Sequence, residues 1–170
     1  QVLMERLKVT HQTAGLLSAL AAAVNVIGNL TAGLLLSRAF SRPALLIVAF
    51  LVMGLASFGI FLPYLPDSAA FGLCLLFSTV GGVIPAILLS SASIVAPSAG
   101  LAPIVLGLII QGNNLGQILG PTAIGGVLER FGWNSAAYIV ASAALIAILV
   151  VALSLRRLGA KKVTLGMGER

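Results

Sequence analysis

Long apolar stretches alternate with short polar segments along the whole chain. The apolar stretches cover residues 14–36, 44–62, 69–95, 101–128 and 136–155. Each is long enough to cross about 30 Å of hydrocarbon as an α-helix. The segments between them carry the prolines, serines and charged residues that are typical of turns. The pattern therefore predicts an all-α fold, a polytopic bundle of five transmembrane helices in a single membrane domain, with no strand.

Composition supports a membrane location. Of the 170 residues, 59% are hydrophobic and 8% are charged, whereas a soluble domain has about 25% charged residues. A chain with so little charge could not cover its surface in water, so we expect an integral membrane protein whose surroundings are the lipid bilayer. The net charge of +6 is better explained by basic residues flanking the spans than by nucleic-acid binding. Cys74 is the only cysteine, which excludes an intrachain disulfide and CxxC-type metal sites, and we expect no cofactor or metal.

The distribution of charge predicts an orientation. No Asp, Glu, Lys, Arg or His lies inside any of the five stretches. If the spans alternate in direction, one side of the membrane receives Arg38, Arg42, Arg156, Arg157, Lys161, Lys162 and Arg170, and the other receives Arg6, Lys8 and Arg130. By the positive-inside rule the C-terminus is cytoplasmic, in a plasma membrane such as the bacterial inner membrane. Because the chain begins with Gln1, we expect it to be a fragment.

Amides mark two of the helices. Asn25 and Asn29 are four residues apart in the first span, so they share a helix face. Gln111, Asn114 and Gln117 lie in the fourth span. Amides at this depth are costly unless they are paired or face a wet cavity. The first pair therefore either faces a cavity or makes hydrogen bonds between helices, and the fourth span has the pattern of a helix that lines a transport path.

Small residues and prolines suggest how the helices pack. Gly112, Gly116 and Gly120 recur every fourth residue and so lie on one face of the fourth helix, where a second helix could approach closely. Pro85 interrupts the third span, as either a bend that improves packing or a hinge for gating. The second and fifth spans are almost purely apolar, which is typical of helices that face lipid.

Two motifs resemble those of the major facilitator superfamily. In the loop after the first span, GLLLSRAFSR matches the superfamily's loop motif at Gly33, Arg38 and Arg42, with Ser37 in place of the usual Asp and Phe40 in place of the usual Gly. In the fourth span a glycine series matches at Gly107, Gly116, Gly120 and Pro121, although the final glycine pair, Gly125 and Gly126, is shifted by one residue.

The resemblance implies helices eight to twelve of a twelve-helix carrier, an incomplete six-helix half whose partner is the missing N-terminal half. Helices two to six of a first half are the alternative. It also implies secondary active transport of a small solute by alternating access. A membrane-embedded structural or channel-like subunit is the alternative function. An enzyme is not expected, because the chain has no metal-ligand spacing and no paired carboxylates.

Residue roles follow from the same resemblance. In this superfamily the helices equivalent to the first, third and fourth spans line the solute cavity. The residues expected to contact substrate are therefore the amides Asn25, Asn29, Gln111, Asn114 and Gln117. Gly33, Arg38 and Arg42 would act at the cytoplasmic gate, where guanidinium groups can bond helix-end carbonyls or a carboxylate of the other half.

Overall fold

The computed structural model of the protein describes residues 11–166, and this part of the chain is helical without a strand. Its long helices are α1 His11–Ser37, α2 Arg42–Phe61, α3 Asp67–Val95, α4 Ala102–Phe131 and α5 Asn134–Gly166. A single 3-10 turn, Ala99–Leu101, precedes α4. Each of the five helices is long and apolar enough to cross a membrane. The predicted fold class, an all-α membrane bundle with five spans, is confirmed.

The last helix extends beyond its apolar span. The sequence predicted a span over residues 136–155 followed by a basic tail; the candidate span of α5 is Asn134–Arg156, and the helix itself continues to Gly166. Lysine and arginine are good helix formers, so the helix can continue past the apolar stretch through these residues. The flanking charges at Arg6, Lys8 and Arg170 lie outside the described residues.

The centre of the bundle lies where α3 packs against both α1 and α2. Ala32 of α1, Leu46 of α2 and Ile87 of α3 form its buried cluster, and the side chains of Ala32 and Ile87 are fully inaccessible. The third helix therefore holds the first two together, even though the chain connects α1 directly to α2.

The second helix is the most covered of the five in this structure, because it lies between α3 and α5. Small residues make its contact with α5 close: Ala137 is fully buried, and a Cβ built on Gly54 would lie 3.2 Å from the Cβ of Ala144. The buried Ser57 hydroxyl donates to the carbonyl of Gly54 at 2.7 Å and lies 3.2 Å from that of Ala137. The expectation that α2 faces lipid stays a prediction: the helix packs against α3 and α5, and its other side is exposed at Val48, Leu51 and Leu55.

The fourth helix contacts the rest of the chain near its two ends. Val105 and Ile109 are half-buried near its start, and residues 124–128 are largely half-buried near its end. Between these contacts, residues 111–119 are exposed. No atom of the described chain lies within 4 Å of a Cβ built on Gly112, Gly116 or Gly120. The helix contact predicted for this glycine face is therefore not made within residues 11–166, and it stays a prediction for a helix outside them.

A left-handed residue ends α1. Ala39 has φ of 63°, and its N–H donates to the carbonyl of Leu36 while the N–H of Phe40 donates to that of Leu35, each at 3.2 Å. This pair of bonds satisfies two of the carbonyls left open at the helix end, in the arrangement known as a Schellman motif. Glycine is the usual residue at this position, because a Cβ is unfavourable in the left-handed region.

Replacing Ala39 with glycine should therefore stabilise the protein. We expect Ala39→Gly to raise the free energy of unfolding by about 1 kcal/mol, the cost of a Cβ in this conformation. Thermal unfolding of the protein in detergent measures the change. Ala123→Gly, at an exposed position inside α4, is the matched control and should destabilise by about 1 kcal/mol. If both variants changed the free energy of unfolding by the same amount in the same direction, the left-handed conformation of Ala39 would be contradicted.

Candidate functional site

Hydrogen bonds join α1 and α3 at the depth of the predicted amide pair. The side-chain amide of Asn25 donates to the carbonyl of Ser78 at 2.9 Å. In return, the hydroxyl of Ser78 donates to the carbonyl of Ala21. Each helix thus donates one side-chain hydrogen bond to a backbone carbonyl of the other. These bonds satisfy polar groups that would be costly to leave unpaired in hydrocarbon.

The second amide of the pair is attached to the first. The amide nitrogen of Asn29 lies 3.2 Å from the backbone carbonyl of Asn25 and 3.3 Å from its side-chain oxygen. Both side chains are half-buried. For Asn25 the geometry supports the interhelical alternative, because its donor is used by α3. Asn29 has its side chain positioned by Asn25 and has no hydrogen bond to another helix in the described chain.

Two glycines make the close crossing of α1 and α3 possible. A Cβ on Gly28 would overlap the carbonyl oxygen of Thr79, and a Cβ on Gly82 would overlap the carbonyl oxygen of Asn25. Neither this crossing nor the role of Ser78 was predicted from the sequence. A signal was present: each helix carries a polar residue one turn before a glycine, Asn25 before Gly28 and Ser78 before Gly82.

The amides of α4 are uncovered. Gln111, Asn114 and Gln117 are all exposed. At about 100° of rotation per residue, these three amides occupy an arc of roughly 120° around the helix axis. The centre of the face formed by Gly112, Gly116 and Gly120 lies roughly 160° from the centre of that arc. The helix therefore presents these three amides on one side and the glycines on nearly the opposite side, with the exposed Asn113 at the edge of the glycine face. The structure does not bring these amides into hydrogen-bond contact with Asn25 or Asn29, whose bonds are to α3 and within α1.

The prolines lie inside continuous helices. α3 runs without interruption through Pro85, and α4 through Pro121. Gly81, four residues before Pro85, provides the carbonyl that loses its usual partner. A Cβ on Gly81 would lie 3.7 Å from the amide nitrogen of Asn25, so this weakened turn borders the α1–α3 crossing. Both a packing bend and a hinge therefore stay open for Pro85.

The loop residues have different surroundings. Gly33 and Arg38 are exposed, and nothing lies within 4 Å of a Cβ built on Gly33. Arg42 is half-buried, and it lines a cavity between the first turn of α2, the final turns of α3 and residues 150–155 of α5. Arg42 thus faces the side of the bundle formed by α2 and α5, whereas the exposed Arg38 does not line this cavity. The gate role expected of both arginines stays a prediction.

These features define a class of protein: a polytopic membrane bundle in which one helix presents uncovered amides at mid-depth, as the transporters of small solutes do. The chain matches the Major Facilitator Superfamily over residues 1–169, and it belongs to this family of transporters. The match confirms the resemblance seen in the two motifs and makes the chain an integral membrane protein. Searches among curated proteins and among solved structures found no match to the chain.

Proposed function

We propose that this chain is part of a secondary active transporter that moves a small polar solute by alternating access. The observation that carries the proposal is the exposed amide face of α4 in a chain that belongs to a transporter family. Carriers of this kind bind their solute near the bilayer midplane between two halves that rock against each other. Gln111 is about ten residues into α4, which at about 1.5 Å per residue puts it near the midplane.

The proposed solute contacts are Gln111, Asn114 and Gln117 of α4, with Asn29 of α1. Amides both donate and accept hydrogen bonds, and no charged residue is present in the described helix centres. Recognition in this half would therefore depend on hydrogen bonding rather than on ion pairing. Asn25 contributes indirectly, because it holds Asn29 in place and fastens α1 to α3.

The missing partners of the chain are proposed from its open surfaces. The glycine face of α4 continues the line of Val105 and Ile109, which are half-buried against the described chain. A sixth helix of the same half would cover Gly112, Gly116 and Gly120, and the N-terminal half would face the amides on the opposite side. Gly33 and Arg38 would contribute to the cytoplasmic gate, with the C-terminus in the cytoplasm and the protein in the plasma membrane.

Transport by the reconstituted protein tests the proposal. The full-length carrier in proteoliposomes should show saturable, gradient-driven uptake within a panel of small polar solutes. The 170-residue chain alone should show none, because a site between two halves needs both halves. The proposal fails if the full-length protein moves no solute under any gradient while this segment forms stable complexes, as a structural subunit would. Saturable uptake by the 170-residue chain would contradict the assignment of an incomplete half.

A further inference from the structure

A cavity of about 620 Å³ opens between the ends of three helices, on the side of the bundle away from the amides. The first turn of α2, the final turns of α3 and residues 150–155 of α5 form it. Its walls are mainly apolar, with Leu46, Leu88 and Val151 among them, and Ile94 and Leu155 nearer its rim. Cavities of about 300–1,000 Å³ commonly bind small organic molecules.

A cation without a partner faces this apolar space. The Nε atom of Arg42 is buried, and it has no hydrogen-bond acceptor among residues 11–166. The carboxylates in this part of the chain are Asp67 and Glu129. Asp67 lies in the first turn of α3, and Glu129 lies in the last turn of α4. Both positions are at the opposite end of the bundle, so neither can pair with Arg42. A buried guanidinium N–H without an acceptor costs free energy, which an added anion would recover.

Two serines of the cavity do not supply that acceptor. The hydroxyl of Ser91 donates to the carbonyl of Ile87 at 2.7 Å, and that of Ser154 donates to the carbonyl of Val150 at 2.8 Å. Each hydroxyl is thus fixed on its own helix, and neither bonds Arg42. The cavity combines one unpaired positive group with apolar walls, which is complementary to an anion joined to an apolar chain.

We infer that this cavity binds one anionic phospholipid, with its phosphate on Arg42 and an acyl chain along the walls formed by α2, α3 and α5. Arg42 is the first residue of a membrane-spanning helix, so it lies near the level of the lipid headgroups. Leu46 is four residues further along α2, and Leu88 is seven residues before the end of α3. At about 1.5 Å per residue these walls lie roughly 6–10 Å deeper, within the hydrocarbon. Basic pockets between transmembrane helices commonly bind anionic lipid headgroups.

The test is lipid-dependent stabilisation of the full-length carrier in mixed micelles. Dioleoylphosphatidylglycerol should raise the thermal unfolding temperature saturably, and dioleoylphosphatidylcholine should not at the same mole fraction. Arg42→Gln should raise the half-saturating mole fraction by about tenfold, because a charge-assisted hydrogen bond is lost. Arg38→Gln, four residues away in the same loop but exposed, is the matched control and should change it less than about twofold. Val151→Trp, which fills the apolar part of the cavity and keeps the charge, should also weaken binding.

A second measurement keeps the inference testable if Arg42→Gln does not fold. In the unaltered carrier, phosphatidylglycerol with a photoreactive acyl chain should crosslink to the final turns of α3 and to residues 150–155 of α5. Crosslinks confined to other surfaces would overturn the inference. So would equal weakening by Arg38→Gln and Arg42→Gln, or equal stabilisation by phosphatidylcholine. Equal stabilisation by glycerol phosphate would show an anion site without lipid selectivity and would overturn it as well.

Discussion

Gly28→Ala and Gly82→Ala should each destabilise the carrier by about 3 kcal/mol, the largest effect that the structure predicts for a single methyl group. At both positions the added Cβ would overlap a backbone carbonyl of the opposite helix. Backbone atoms cannot rotate aside as a flexible side chain can, so α1 and α3 must separate. Separation would also break the hydrogen bonds of Asn25 and Ser78. Thermal unfolding of the full-length protein in detergent measures the effect.

Two glycines on the same helices provide matched controls. A Cβ built on Gly15 of α1 or on Gly72 of α3 meets no atom within 4 Å. Because alanine is the better helix former, Gly15→Ala and Gly72→Ala should be neutral or stabilise by up to about 1 kcal/mol. If Gly28→Ala and Gly82→Ala behaved like these controls, the close crossing of α1 and α3 would not exist in the protein.

The second large effect concerns transport. In the full-length carrier, Gln111→Ala should raise the KM for uptake by about tenfold or abolish uptake, because each lost hydrogen bond to a polar solute leaves a buried group unpaired. The unfolding temperature should stay nearly unchanged, since the Gln111 side chain is exposed in the described chain. Uptake kinetics and thermal unfolding of the same preparation provide both readings.

Asn25→Ala is the comparison variant, which we expect to lower the stability of the carrier rather than to raise its KM. Its amide bonds the carbonyl of Ser78 on α3, so its removal should lower stability by about 0.6–1.7 kcal/mol, the range measured for hydrogen bonds between membrane helices. The surviving protein should keep a KM closer to that of the unaltered carrier than Gln111→Ala does. Loss of stability in step with activity in Gln111→Ala, with an unchanged KM, would instead assign Gln111 to packing.

The architecture could be predicted from the sequence because lipid imposes strict rules. A helix must be apolar over about 20 residues and must satisfy its own backbone, so length and hydropathy alone locate five spans. The family could be inferred from Gly33, Arg38 and Arg42 in the loop and from Gly116, Gly120 and Pro121 in α4, because turn and packing constraints at fixed spacing are local properties of the chain.

The site could be predicted only in part, because its contacts join residues far apart in the chain. Asn25 and Ser78 are separated by 53 positions. No local sequence pattern predicts which helix provides the carbonyl that accepts the hydrogen bond of the Asn25 amide. The amide pair of α1 could therefore be predicted, but its partner on α3 could not. The arginines show the same limit: Arg38 and Arg42 belong to one motif, yet Arg42 lines a cavity formed with α3 and α5. The helix α5 continues beyond the predicted span because hydropathy marks the membrane boundary rather than the helix boundary.

Accessibility of Gln111→Cys from the two sides of the membrane tests alternating access most directly. The full-length carrier would contain a single cysteine, with Ser41→Cys marking the cytoplasmic side and Ile146→Cys, exposed on α5, marking the lipid face. An impermeant thiol reagent should label Gln111→Cys from either side, Ser41→Cys from the cytoplasm only, and Ile146→Cys from neither. Adding Arg38→Gln should change the two rates at Gln111→Cys in opposite directions, since weakening one gate shifts the balance between two states. Labelling from neither side, or rates that rise and fall together as in an open channel, would contradict transport by alternating access.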